Sequence, residues 1–160
     1  MKKYLAVFTA AVLSANCYCA TSPLEFSTTK MGVSYTITVT NWTVDKRDVP
    51  SFEYSYTQMD AKNGVCNYSV SGKATAGFEE DGGKVILDVY NPQNDDGTEG
   101  DPILYFSDGD KTITMAANEK KRNQFVTFES KSTTSEFNKH CLNGEKHLTV
   151  SFGKGHIPKK

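Results

Sequence analysis

Residues 33–40 read VSYTITVT. Val33, Tyr35, Ile37 and Val39 alternate with Ser34, Thr36, Thr38 and Thr40. A period of two places the apolar set on one face of an extended chain and the hydroxyls on the other. β-Branched and aromatic side chains suit a half-buried pleated surface, so this stretch predicts a strand with one dry face. The same alternation recurs. SFEYSYTQM (51–59) sets Phe52, Tyr54 and Tyr56 against Glu53, Ser55 and Thr57. CNYSVSGKATA (66–76), PILYFS (102–107), KTITMA (111–116), QFVTFES (124–130) and HLTVSF (147–152) continue it, and KVILDVY (84–90) is apolar enough for a central position. Turn formers separate these runs at Lys62-Asn63-Gly64, Asp81-Gly82-Gly83, Asp108-Gly109-Asp110 and Ala117-Asn118. The pattern predicts a mainly β chain, an antiparallel β-sandwich or barrel of about eight strands.

One segment departs from the period of two. STTSEFNKHCLNG (132–144) offers Thr133 as an N-cap with Glu136 three residues on, a capping box. Phe137 and Cys141 fall four apart, on one helical face, and Gly144 can end the helix in the left-handed conformation. A single short helix near the C-terminus is expected, laid against the sheet by Phe137 and Cys141.

The first residues carry an address rather than a fold. Lys2 and Lys3 precede an apolar run over 4–13, of signal-peptide length and too short to span a bilayer. Signal peptidase needs small side chains one and three residues before the cut. Cutting after Cys19 uses Cys17 and Cys19; cutting after Cys17 uses Ala15 and Cys17. Only the first leaves an even count, Cys66 and Cys141, which in an exported protein reads as a disulfide. The expectation is therefore a signal peptide over 1–19, one β-rich domain over 20–160, and a periplasmic location. The basic end GKGHIPKK is expected to be a mobile tail from about residue 154.

The whole chain carries 18 bases and 19 acids, a formal charge of -1. Removing the signal takes away Lys2 and Lys3 and leaves a mildly acidic chain. Without a basic stripe, neither nucleic acid nor an anionic membrane is an expected partner. The charge is uneven: NDDGTEGD (94–101) holds four acids, and EKKR (119–122) three bases.

The familiar calcium, zinc and nucleophile motifs fail in this sequence. Aligning Gly97 with the sixth position of an EF-hand puts Pro92 first and Ile103 twelfth, so the calcium motif fails. His140, His147 and His156 lack zinc-ligand spacing. No G-x-S-x-G or H-E-x-x-H occurs. His140 adjoins Cys141, but a disulfide removes that nucleophile. The acids are numerous enough for a glycosidase pair, and Asp88 is the one set in an apolar run. No metal or cofactor is expected. Binding is the better-supported class. Ser71, Lys73 and Lys84 lie near glycines in hairpin segments, where such side chains can enter a cleft and pair with its carboxylates. Asp95, Asp96 and Glu99 form an acidic loop suited to steering a basic partner. Of the many aromatics, most are expected in the core and some tyrosines outward as anchors.

The plan as a whole resembles periplasmic bacteriocin immunity proteins and periplasmic lysozyme inhibitors. The residues that carry the resemblance are the export segment MKKYLAVFTAAVLSANCYC, then a small strand-rich domain holding Cys66 and Cys141. Ser71-Gly72-Lys73 is similar to the Ser-Gly loops of lysozyme inhibitors, with Phe78 the nearest downstream aromatic. The resemblance implies a non-enzymatic inhibitor whose partner is a protein toxin, a peptidoglycan hydrolase, blocked by occlusion of its cleft. The competing expectations are a secreted carbohydrate-binding or adhesin-type β-sandwich, and a carboxylate-dependent hydrolase.

Overall fold

The computed structural model describes residues 22–121, 123–124 and 126–157. The expected signal segment, with Cys17 and Cys19, lies outside them. Leu24–Lys30 (β1), Val33–Val44 (β2), Pro50–Asp60 (β3) and Tyr68–Ala76 (β4) form an antiparallel meander. The chain then leaves the sheet for a hairpin, Phe78–Asp81 (β5) and Lys84–Leu87 (β6), and returns for two residues, Val89–Tyr90 (β7). A second meander follows: Ile103–Asp108 (β8), Lys111–Ala116 (β9), Val126–Ser130 (β10) and Leu148–Phe152 (β11). Ser135–Cys141 (α1) lies between the last two strands.

The meanders join at two narrow seams. β4 pairs with β8 only at Thr75–Ser107 and Ala76–Phe106. At the other seam Glu25 and His156 exchange backbone hydrogen bonds of 2.8 and 2.7 Å. The result is a nearly closed, eight-strand antiparallel barrel. The tail expected to be free from about residue 154 is pinned through His156, because Gly155 lies against the Phe26 ring where a Cβ would come within 2.9 Å of ring carbons.

Alternation builds the barrel wall. Phe26, Ile37, Tyr56 and Val70 sit side by side across β1–β4 on the inner face; Ser27, Thr36, Thr57 and Ser69 sit side by side on the outer face. Phe26, Phe52, Tyr56, Phe106 and Phe128 are fully buried, and Tyr56 stacks on Phe128 at 4.1 Å. Aromatic side chains fill the interior, so the barrel is a packed core rather than a ligand-holding cup. A barrel facing lipid carries the reverse arrangement, with its apolar set outward. Among the described residues, no helix is long and apolar enough to cross a membrane.

Both ends of the barrel are covered. At the helix end, Cys141 bonds to Cys66 with Cα atoms 5.5 Å apart, and Phe137 packs on Tyr68 at 5.6 Å. The helix starts one residue later than the capping box implies. Thr134 is the N-cap, its Oγ1 accepting from Phe137 N at 3.1 Å, while Thr133 turns its hydroxyl into the protein. At the opposite, hairpin end, a bulge after Thr40 flips the alternation and sends Trp42 inward onto Phe52 and Phe106. Phe78, Val85 and Leu87 of the β5–β6 hairpin pack on the same core.

KVILDVY is not one central strand. Ala76 lies opposite Phe106 and Val89 opposite Leu104. A single β8 position, Tyr105, lies between those partners, while the chain runs from 77 to 88. Gly77 N donates to Tyr105 O at 2.9 Å and Asp88 N to Gly77 O at 2.8 Å, which fastens the two stems of the detour together. β4 and β7 are thus one barrel strand interrupted by an inserted hairpin. Gly77 permits the crossing, since a Cβ there would meet Asp88 at 3.1 Å.

Candidate binding surface

The residues singled out in the sequence fall into two places. Ser71 and Lys73 point outward from β4, opposite Ser55 and Glu53 of β3. With Thr38, Thr40, Tyr54 and Gly72 they line a shallow, open depression of about 440 Å³. Asn41 Nδ2 donates to Glu53 Oε2 at 2.6 Å. Gly72, between Ser71 and Lys73, faces the other way, into the barrel: a Cβ there would collide with the Asp108 carboxylate and come within 3.2 Å of the Tyr54 ring. That carboxylate accepts from Tyr54 Oη at 2.9 Å. Burial first, then this bond, push the Tyr54 phenol well above the usual tyrosine range, so it stays neutral and serves as a fixed donor. The depression offers hydroxyls and one charge of each sign. It holds no activated nucleophile.

Lys84 and the acidic loop are elsewhere, at the hairpin end. Lys84 opens β6 just past Gly82 and Gly83, whose φ angles of +57° and +77° make the tight turn. Arg47 ties this hairpin to the β2–β3 connection. Its guanidinium bonds Asp45 at 3.0 Å and Glu80 at 3.2 Å and lies 4.8 Å from the centre of the Phe78 ring. Asp45 is in turn fixed by Val49 N at 3.0 Å and Arg47 N at 2.8 Å, which together with the guanidinium hold its carboxyl below the usual range.

Asp95, Asp96 and Glu99 lie in the β7–β8 connection. Repulsion among these acids suggests an open turn, but the segment folds back on itself. Asn94 N donates to Thr98 O at 2.8 Å, Gly100 N to Pro92 O at 2.7 Å, and Gln93 bridges to Glu99. Asp96 braces the tip: its Oδ1 accepts from Thr98 Oγ1 at 2.6 Å and Thr98 N at 3.0 Å, and these bonds lower its pKa. Lys121 holds the base of the loop through Asp101 at 2.8 Å. The bracing keeps the Asp95 and Glu99 side chains exposed. Among the described residues, no group of three His, Cys, Asp or Glu side chains converges to hold a metal ion.

The structure therefore brings Lys84, Asp95, Asp96 and Glu99 into one chain excursion, residues 77–102, and leaves Ser71 and Lys73 on the barrel wall. Sequence reasoning passed over Tyr90 and Tyr105 as site residues. Both are exposed, with ring centres 6.4 Å apart edge to face. For Tyr105 the signal was present: it alternates with Leu104 and Phe106, which are buried. Comparison with family models, curated proteins and solved structures finds no significant match to the chain.

Proposed function

We propose that the chain is a periplasmic, non-enzymatic binding protein that neutralises a cell-wall-degrading toxin by occluding its active-site cleft, as a bacteriocin immunity protein or lysozyme-type inhibitor does. One observation carries the reading: a solid, doubly capped barrel interrupts one of its own strands to project the hairpin between Gly77 and Asp88. A packed scaffold with no interior cup acts through its surface. Lys84 at the glycine turn of the hairpin is the group placed to meet the paired carboxylates of a muramidase cleft. The Cys66–Cys141 bond supports an oxidising compartment. A rigid scaffold lowers the ordering cost of association.

The exposed Tyr90–Tyr105 pair favours a second reading, a secreted carbohydrate-binding β-domain, since outward aromatic rings stack on sugars. The two readings part in the periplasm of a living cell. Exporting the chain into cells challenged with a peptidoglycan hydrolase is expected to protect them, and Lys84→Glu to weaken that protection. Absence of protection, together with retention of the protein on isolated cell-wall glycan, would replace the first reading with the second.

A further inference from the structure

Residues 77–102 contribute to an aromatic outer face that is exposed among the described residues. On β8, Leu104 and Phe106 point into the core, so Tyr105 points out. Tyr90, paired with Ile103, stands diagonally across from it on the same outer face. Tyr90 is 52% exposed and Tyr105 37%, and Ile103, opposite Tyr90, is half-buried on the same face. Among the described residues, β7 pairs with β8 on one side and with no strand on the other. Isolated surface apolar residues need no explanation, but an edge-to-face tyrosine pair on one sheet face forms a patch suited to a partner.

The charge of the segment that carries Tyr90 points to the partner's chemistry. Residues 77–102 hold eight of the chain's 19 acids and one of its 18 bases. The excursion is therefore -7, against -1 for the whole chain. Arg47 pairs with Glu80 and Lys121 with Asp101. Glu79, Asp81, Asp88, Asp95, Asp96 and Glu99 have no cation partner among the described residues. A second copy placed symmetrically on this face would set like charges against each other. An anionic glycan or membrane would be repelled, and a neutral sugar would gain nothing from these carboxylates.

We infer that the Tyr90–Tyr105 face, together with the carboxylates of the segment 77–102 that carries Tyr90, docks onto a cationic protein surface next to the cleft that the hairpin blocks. The inference rests on the toxin-neutralising reading. The tyrosines are the anchors that slow dissociation, and the carboxylates speed encounter. Lys84, the lone cation, is left for the carboxylates inside the cleft.

The test uses the disulfide-bonded chain, residues 20–160, with two probes on a biosensor surface: a basic lysozyme, and cytochrome c as an equally basic protein without a glycan cleft. The expected association rate with lysozyme falls about tenfold or more between low and high salt. Asp95→Asn with Glu99→Gln is expected to slow association. Tyr90→Ala with Tyr105→Ala is expected to raise the dissociation rate by roughly tenfold or more, and Lys73→Ala to change neither. Unchanged thermal melting verifies that each variant is folded. Lysozyme bound equally well by the tyrosine variant, but lost on Lys73→Ala, would overturn the docking face and leave the toxin-neutralising reading standing. Cytochrome c bound with the same tyrosine and carboxylate dependence, and lysozyme not bound, would support the cationic face while removing the proposed target. Binding of neither basic protein, Tyr90-dependent dimers in sedimentation, or Tyr90-dependent retention on neutral glycan would overturn the inference.

Discussion

Gly72 shows how much one missing side chain can decide. The Asp108 carboxylate occupies the space a Cβ would need, and from there it holds the buried Tyr54 hydroxyl. Gly72→Ala must displace one of them. We expect a loss of about 1–3 kcal/mol, the cost of overpacking and of a broken buried hydrogen bond, measured by urea unfolding with Ser71→Ala as the neutral neighbour. Asp110 carries an acid-sensitive contact at the same end. The Lys111 ammonium at 2.8 Å, then the Ser132 hydroxyl, hold its carboxyl at about 2, below its ordinary 3.8. A depressed folded pKa stabilises the fold above the ordinary value and ceases to do so as pH falls through the folded one. Thermal stability should therefore fall between about pH 4 and pH 2, and Asp110→Asn should flatten part of that slope; Asp45 and Asp96, also lowered, supply the rest. At this scale the sequence was only partly legible. Alternation assigned Phe52, Tyr54 and Tyr56 to the core correctly. It could not place Tyr90 outward, because Ile86 and Val89 beside it look like core residues and are exposed.

The elements divide by whether a short-range pattern defines them. VSYTITVT and SFEYSYTQM declare β2 and β3, and Phe137 with Cys141 declares the inward face of α1. LEFSTTK does not declare β1, because only Leu24 and Phe26 are apolar; its pairing along β2 and the late contact with His156 make it a strand. KVILDVY reads as one strand, yet the return to the barrel at Asp88 depends on pairing with β8, far along the chain. That reading predicts that the hairpin is removable. Joining Gly77 directly to Asp88, with 78–87 deleted, should leave a folded barrel, since Asp88 N already donates to Gly77 O at 2.8 Å. Uncovering the part of the core under Phe78, Val85 and Leu87 should lower stability by about 2–4 kcal/mol, as followed by urea melts and near-UV dichroism. The disulfide acts at the other end. It spans 75 residues of sequence, for which the chain-entropy model gives roughly 4 kcal/mol. Cys66→Ser with Cys141→Ser should lower the melting temperature by about 10 °C or more, while Trp42 fluorescence, reporting the far end, should stay native below the transition.

At the scale of the whole molecule, structure and charge are both segregated. One end is sealed by a helix and a covalent bond, the other by a hairpin projecting from an interrupted strand. The acids concentrate in that projection, and the remainder of the chain is net basic. Such a molecule has a core for stability and one projecting, acidic end, and the proposed neutralisation of another protein assigns the contact to that end. The direct measurement is a titration of the oxidised chain, residues 20–160, into a peptidoglycan hydrolase, following the clearing of a cell-wall suspension. The account predicts that clearing falls to zero at one chain per hydrolase, and that deletion of 78–87 abolishes the effect. Clearing by the chain alone, or undiminished hydrolase activity at a large molar excess of the chain, would contradict it.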